Sequence, residues 1–208
     1  WRRCFDCQAG LRQGAVRRSR PGHNSLEAAD FSTNQTPARG DQRVSDEGLW
    51  RFSAVELRDL YASGQLSPVE LTDAVLKRIE TLNPSLGAFI SVTDELAQQH
   101  AQRAAALVHE GLSNKTPTLL GIPVSIKDLI ATKGIRTTMG SLLLRDWVPE
   151  FDSPVGERLR ASEAIVLGKT NTCEFGWKGD STNRLIGPTH NPWRLGLTAG
   201  GSSGGAAA

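Results

Sequence analysis

Short apolar runs alternate with amphipathic helical patterns from about residue 49 onward, and this alternation restricts the fold more than any other feature of the sequence. The predicted elements are helices at residues 53–63, 67–83, 94–110 and 154–161, and strands at residues 86–92, 121–126 and 164–167. Strands interleaved with helices are typical of layered folds in which the strands pair side by side. We therefore predict an α/β domain with a mixed, largely parallel sheet flanked by helices.

Each of the first two helices is predicted to begin after a serine that is followed three residues later by a glutamate. Ser53 precedes Glu56, and Ser67 precedes Glu70. In this arrangement the serine oxygen accepts a hydrogen bond from the backbone of the first turn, and the glutamate reaches back to the serine N–H. Because a proline disfavours helical geometry in the residue before it, we expect the second helix to end at residues 83–84.

Residues 1–47 lack a periodic apolar pattern and are rich in Arg, Gly, Ser, Asn and Asp. The stretch from Arg2 to Arg20 contains six arginines and one acidic residue. A mitochondrial-type targeting segment is Arg-rich and acid-poor, but this stretch has no sustained amphipathic face. We favour a disordered or non-native segment over a targeting segment for residues 1–47.

The two ends of the sequence lead us to expect a piece of a longer protein. The chain starts at Trp1, and its single methionine is Met139. The other end lies within an apparent helix that follows a glycine-rich turn. We therefore expect residues 48–208 to form the N-terminal portion of a larger domain.

The charge balance gives no electrostatic reason to expect nucleic acid or a membrane as a partner. Charged residues make up 22% of the sequence, and the formal net charge is +2. The three cysteines form no even framework, which favours a reducing, cytoplasmic compartment. Cys4 and Cys7 have C-x-x-C spacing, but no second ligand pair follows them, so we predict no metal site.

The string GKT at residues 168–170 follows an apolar strand and could be taken for a phosphate-binding loop. Such a loop requires a glycine five positions before its Gly-Lys pair, and Glu163 occupies that position. We therefore reject a nucleotide site. Lys169 is left with two interpretations, a surface or structural lysine or a member of a family motif.

A lysine at a strand end and a serine in a glycine-rich turn are the candidate catalytic features. Lys127 follows the apolar strand at residues 121–126. Burial disfavours the charged form of a lysine, so a lysine at such a position is a candidate general base. Ser202 lies in the string GGSSGG at residues 200–205, for which a flexible linker is the alternative interpretation. The alanines at 206–208 predict a helix start, which favours a structured turn.

Several strings occur in order along the chain: GIPVSIKD at residues 121–128, GKTN at 168–171, EFG at 174–176, GPTHNPW at 187–193 and GGSSGG at 200–205. Together they resemble the amidase signature family, and the resemblance runs from about residue 49 to residue 208. It implies the amidase signature fold, of which this chain supplies the N-terminal portion. It also implies hydrolysis of a carboxylic amide through a Ser–cis-Ser–Lys triad, without a cofactor or a metal.

By motif, Lys127 matches the base of that triad and Ser202 matches its bridging serine, whose preceding peptide bond is cis in the family. The nucleophilic serine of the family lies in a further Gly-Gly-Ser string, which we expect beyond residue 208. We therefore expect no turnover from these 208 residues alone. Ser203 is expected to support the pair by hydrogen bonding.

The resemblance also implies a set of residues that support the pair or bind substrate: Gly201, Gly204, Asp128, Met139, Gly140, Ser141 and Asn171. We expect Asp128 and Asn171 to tie loops together near the site. We expect residues 139–141 to line the substrate pocket.

Two enzymatic functions within the family and one non-catalytic function stay open. A stand-alone hydrolase would cleave a small aliphatic, aryl or acylated amide, and Trp177 after the Glu-Phe pair favours it. The A subunit of the glutamyl-tRNA(Gln) amidotransferase would instead hydrolyse glutamine and pass ammonia to a partner subunit. A truncated, non-catalytic relative would act as an interaction protein. The hydrolase needs only a small-molecule amide and allows a homodimer, whereas the amidotransferase needs partner subunits.

Overall fold

The computed structural model describes residues 48–208. Its elements, in chain order, are α1 (Ala54–Ala62), α2 (Pro68–Leu86), β1 (Phe89–Val92), α3 (Asp94–His109), β2 (Pro123–Lys127), α4 (Pro154–Ala161), β3 (Ile165–Thr170), β4 (His190–Asn191), β5 (Arg194–Thr198) and α5 (Gly204–Ala207). Short 3₁₀ turns lie at Leu49–Arg51, Leu142–Leu144 and Glu174–Gly176. The predictions for residues 1–47, including the targeting segment and the Cys4–Cys7 pair, lie outside the described residues.

A three-stranded mixed sheet forms the centre of the described region. Its strand order is β1-β3-β2, with β2 parallel and β1 antiparallel to the central strand β3. All residues of β3 are buried. The register places Lys127 of β2 opposite Thr170 of β3, and Phe89 of β1 faces Thr170 from the other side. The prediction of an α/β fold with a mixed sheet is confirmed.

Both predicted capping boxes are present. The backbone N–H of Glu56 donates to Ser53 Oγ at 3.3 Å, and the Glu56 carboxylate accepts from the Ser53 N–H at 2.7 Å. The same pair of bonds joins Ser67 and Glu70 at the start of α2. These bonds satisfy backbone N–H groups that have no partner within the helix. Helix starts were predictable here because their signals are local.

The prediction that α2 ends at residues 83–84 is wrong, because α2 continues through Pro84 to Leu86. Pro84 has no N–H to donate to the carbonyl four residues earlier, yet the helix continues past this lost bond for two residues. Gly87 ends the helix instead, with φ at +61° and its N–H bonded to Asn83 O at 2.8 Å. Asn83 then exchanges two side-chain hydrogen bonds with the backbone of Phe89, at 2.7 and 3.1 Å, and so directs the chain into β1.

Strand β3 continues three residues beyond its predicted end at Leu167 and includes Lys169 and Thr170. Gly168 allows this because the backbone of β1 lies directly against it. A Cβ at residue 168 would overlap the carbonyl oxygen of Ser91. The segment after β3 contains a short antiparallel hairpin formed by β4 and β5.

The apolar core lies between the sheet and the two long helices. Leu76 of α2 and Ala97 and Ala101 of α3 pack against Ile165 and Leu167 of β3. Small alanine side chains bring the α3 backbone close to the strand, which explains the pattern of alanines on that helix. This packing holds the carboxyl ends of β2 and β3 in place. Lys127 is the last residue of β2, and Asn171 directly follows β3. In residues 48–208 there is no helix long and apolar enough to cross a membrane.

Candidate active site

Lys127 and Ser202 are brought together although 75 positions separate them in the sequence. Lys127 is the last residue of β2, and its Nζ donates to Ser202 Oγ at 2.6 Å. Both side chains are half-buried. The peptide bond between Gly201 and Ser202 is cis, as the resemblance implies. Lys127, at the carboxyl end of β2, thus has a hydroxyl group within hydrogen-bonding distance.

The turn that carries Ser202 is packed so closely that three of its glycines, Gly201, Gly204 and Gly205, have no room for a side chain. A Cβ at Gly201 would overlap the carbonyl oxygen of Asp180, and a Cβ at Gly204 would overlap Ser181 Oγ. This close approach explains why glycines flank the serine pair. Ser203 lies at the N-terminal cap of α5 with its side chain exposed, and its expected hydrogen-bonding role stays a prediction.

Asp128 follows Lys127 and is fully buried. Its carboxylate accepts from the Thr138 N–H at 3.0 Å and from the Thr138 hydroxyl, and its carbonyl accepts from Met139 N at 3.1 Å. Burial raises the pKa of Asp128, while the Thr138 hydrogen bonds and the positive charge of Lys169 oppose that rise. Asp128 therefore ties the loop at 138–140 to the end of β2.

The loop at residues 139–141 lies against the Glu174–Gly176 turn. Met139 has a left-handed backbone with φ at +51°, and its carbonyl accepts from Phe175 N at 2.8 Å. Ser141 is buried and donates from Oγ to Glu174 Oε1 at 2.6 Å. A Cβ at Gly176 would lie 3.8 Å from Ser202 Oγ, so this turn forms one wall beside the pair.

Asn171 follows β3 and joins separate loops with its side chain. Its Nδ2 donates to Ser181 O and to Thr189 Oγ1, each at 3.0 Å. Its Oδ1 accepts from Thr172 N at 3.0 Å and from Asn183 Nδ2 at 2.5 Å. The amide is fully buried, and its contacts hold the segment before the glycine-rich turn against the end of the sheet. Asn171 thus joins loops near the pair.

Lys169 is the lysine that the fold buries completely, whereas Lys127 is half-buried. Its ammonium donates to Ile130 O at 2.5 Å, to Thr132 Oγ1 at 3.0 Å and to Thr137 Oγ1 at 2.9 Å. Burial lowers the pKa of Lys169 to about 8, against the opposing effect of the Asp128 carboxylate. A surface lysine is therefore excluded, whereas a structural lysine and a member of a family motif both remain.

Sequence reasoning missed Ser181, which lies beside the Ser202 turn, and it gave no site role to Gly176 within the EFG string. Ser181 carries no local signal, because its partners Gly200 and Gly204 lie about 20 residues further along the chain. Within residues 48–208, no three His, Cys, Asp or Glu side chains group closely enough to hold a metal ion.

Comparisons with known proteins identify relatives of this chain. The family model described as Amidase matches residues 70–208. The A subunit of the glutamyl-tRNA(Gln) amidotransferase of Synechococcus sp. (strain WH7803) is 45% identical over 157 residues, which cover 76% of this chain and 32% of that protein. An acylamidase of Rhodococcus erythropolis is 40% identical over 165 residues, covering 79% of this chain and 34% of that protein.

A solved structure gives the same result at the level of the fold. The crystal structure of a bacterial aryl acylamidase belonging to the amidase signature enzymes superposes with a TM-score of 0.68 at 32% identity, covering 74% of this chain and 32% of that chain. The present chain thus spans about a third of the length of the curated relatives that it matches. The family match over more than half of the chain and the shared fold show that this chain belongs to the amidase signature family.

Proposed function

We propose that the full-length protein hydrolyses a carboxylic amide to an acid and ammonia or an amine. The observation that carries this proposal is the hydrogen bond of 2.6 Å between Lys127 Nζ and Ser202 Oγ. A lysine amine and a serine hydroxyl in this arrangement can pass a proton between them when the lysine is neutral. Membership of the family supports the same chemistry.

The proposed reaction uses Lys127 as the base and Ser202 as the relay. Neutral Lys127 accepts the proton of the Ser202 hydroxyl, and Ser202 accepts the proton of a nucleophilic serine, which the family resemblance implies. That serine attacks the amide carbonyl, and the proton returns through Ser202 to the leaving nitrogen. Ammonia or an amine departs, and water then releases the acid from the acyl-enzyme.

The loops around the pair are proposed to bind substrate and to hold the relay in place. Residues 139–141 and the Glu174–Gly176 turn form a hydrogen-bonded unit beside Ser202, which suits a substrate-pocket wall. Two left-handed residues that are not glycine, Met139 and Phe175, lie within this unit. Such backbone geometry is found more often at functional sites than elsewhere.

A second function, the A subunit of a glutamyl-tRNA(Gln) amidotransferase, is favoured by a specific observation. A relative with that name is 45% identical to this chain, compared with 40% for the acylamidase. In this case the amide would be glutamine, and ammonia would pass to a partner subunit. Trp177 after the Glu-Phe pair remains the sequence feature that leads us to place the stand-alone hydrolase first. We retain cytoplasmic location as part of the proposal for either function.

Ammonia or amine release from a panel of amides tests this proposal. The full-length protein, purified without partners, is assayed on propionamide, 4-nitroacetanilide and glutamine, with Ser202→Ala as the background control. We expect hydrolysis of propionamide or 4-nitroacetanilide that is lost in the variant. If glutamine is the only amide hydrolysed, and only after partner subunits are added in a second assay, the result would favour the amidotransferase. No Ser202-dependent turnover under any of these conditions would leave the non-catalytic relative as the better account.

A further inference from the structure

Ser181 makes two hydrogen bonds that straddle Ser202. Its Oγ donates to the carbonyl of Gly200 at 3.0 Å and accepts from the N–H of Gly204 at 2.7 Å. These two residues lie two positions before and two positions after Ser202. The Ser181 side chain is 1% exposed, so water does not compete for these bonds.

The glycine-rich turn has few means of fixing its own shape. Gly200, Gly201, Gly204 and Gly205 contribute no side chains, and glycine is the residue with the greatest backbone freedom. Of the two serines between them, Ser203 is exposed. The local bond from Gly200 N to Thr198 Oγ1 at 3.0 Å constrains the start of the turn, and further constraint on the turn comes from other segments of the chain.

Ser181 is itself held in place. The Asn171 amide donates to the Ser181 carbonyl at 3.0 Å, and Asn171 directly follows the central strand. The N–H of Gly205 donates to the carbonyl of Asn171 at 3.2 Å. A short path of hydrogen bonds thus connects the buried end of β3 to both sides of Ser202.

We propose that Ser181 is a positioning residue that clamps the turn and so holds Ser202 Oγ at hydrogen-bonding distance from Lys127 Nζ. This inference rests on the proposed function, because it assigns Ser181 a role in the same proton relay. A proton relay depends on heavy-atom distances near hydrogen-bonding length. A displacement of about 1 Å at a reacting group costs on the order of 100-fold in rate. Ser181 is 1% exposed and bonds to the turn on both sides of Ser202, so its proposed effect acts through Ser202.

Turnover of 4-nitroacetanilide by the full-length protein is the first test. Ser181→Ala removes both bonds, and Ser181→Cys keeps a side chain of similar size that forms weaker hydrogen bonds. Ser153→Ala is the matched control, because Ser153 Oγ accepts from Gly156 N at the start of α4, away from the turn. We expect kcat to fall by about 100-fold in Ser181→Ala with KM changed less than about twofold, and to fall less in Ser181→Cys. A kcat for Ser181→Ala within about twofold of that for Ser153→Ala would overturn the positioning role.

Hydrogen exchange of the Gly204 amide is the second test, and it does not depend on activity. Because this N–H donates to Ser181 Oγ, we expect it to exchange roughly tenfold faster in Ser181→Ala than in the wild type, and unchanged in Ser153→Ala. Equal exchange of Gly204 in all three proteins would show that Ser181 does not hold the turn. A wild-type protein that leaves every amide of the panel intact would overturn the proposed function, whereas the exchange comparison would still decide whether Ser181 clamps the turn.

Discussion

Replacing Lys169 by methionine tests how the protein accommodates a buried ammonium beside its candidate active site. Lys169 is fully buried, and burial lowers its pKa from the ordinary 10.5 to about 8. Each unit of pKa shift corresponds to about 1.4 kcal/mol. Burying Lys169 in its charged form at neutral pH therefore lowers the free energy of unfolding by about 3 kcal/mol, compared with burying it in its neutral form. Methionine fills a similar volume and carries no proton.

The sign of the pH dependence follows from the lowered pKa. Between pH 8 and pH 10.5 the unfolded chain binds more protons at Lys169 than the folded protein does, so the free energy of unfolding rises with pH. From pH 7 to pH 9.5 this rise amounts to about 2 kcal/mol. Burial also raises the pKa of Tyr61. This raised pKa makes the free energy of unfolding fall as the pH rises, but only near and above the ordinary tyrosine pKa of about 10.

Urea unfolding of the full-length protein at pH 7 and pH 9.5, followed by tryptophan fluorescence, measures this difference. We expect the wild type to gain about 2 kcal/mol more than Lys169→Met over this interval. Lys77→Met, which removes an exposed lysine of α2, is the control and should behave as the wild type does. Agreement of wild type and Lys169→Met within about 0.5 kcal/mol in their pH response would show that burial does not lower the pKa of Lys169.

Three further substitutions test the packing that supports the site, each by its effect on the free energy of unfolding. Gly205→Ala should cost about 2 kcal/mol or more, because the new Cβ overlaps Ala88 O and Asn171 N; a neutral effect would contradict the close packing of the turn. Leu71→Ala should cost about 3 kcal/mol, since this leucine is 1% exposed in the core; a loss below about 1 kcal/mol would contradict that burial. Ser67→Ala removes one capping box and should cost about 1 kcal/mol, and no loss would show that the cap contributes nothing.

The helix starts and the Lys127–Ser202 pair were predictable for different reasons. Capping boxes depend on residues three positions apart, so Ser53 and Ser67 could be identified from the sequence directly. The pair joins distant segments, and only the family resemblance connected Lys127 with Ser202. The end of α2 was misplaced because the preference against a helical residue before proline is a tendency, and here Asn83 stays helical and Gly87 ends the helix.

The burial of Lys169 and the contacts of Ser181 could not be predicted from the sequence. Lys169 is enclosed by the loop at 130–137. Within this loop, Thr132 and Thr137 accept hydrogen bonds from the ammonium of Lys169. Ser181 lies in a segment without periodicity, and its partners Gly200 and Gly204 are about 20 positions away. Both contacts are non-local, so neither leaves a pattern in the neighbouring residues.

Lys127 and Ser202 are proposed to act as one proton relay. A double-mutant cycle on amide hydrolysis tests this proposal most directly. The full-length wild type, Lys127→Ala, Ser202→Ala and the double variant are compared on the best amide of the panel. Each single variant should lose on the order of 10²–10⁴-fold in kcat. Residues that work as a unit are strongly non-additive, so the double variant should be no slower than the slower single variant. Losses that multiply in the double variant, or a single variant that retains full activity, would contradict the relay.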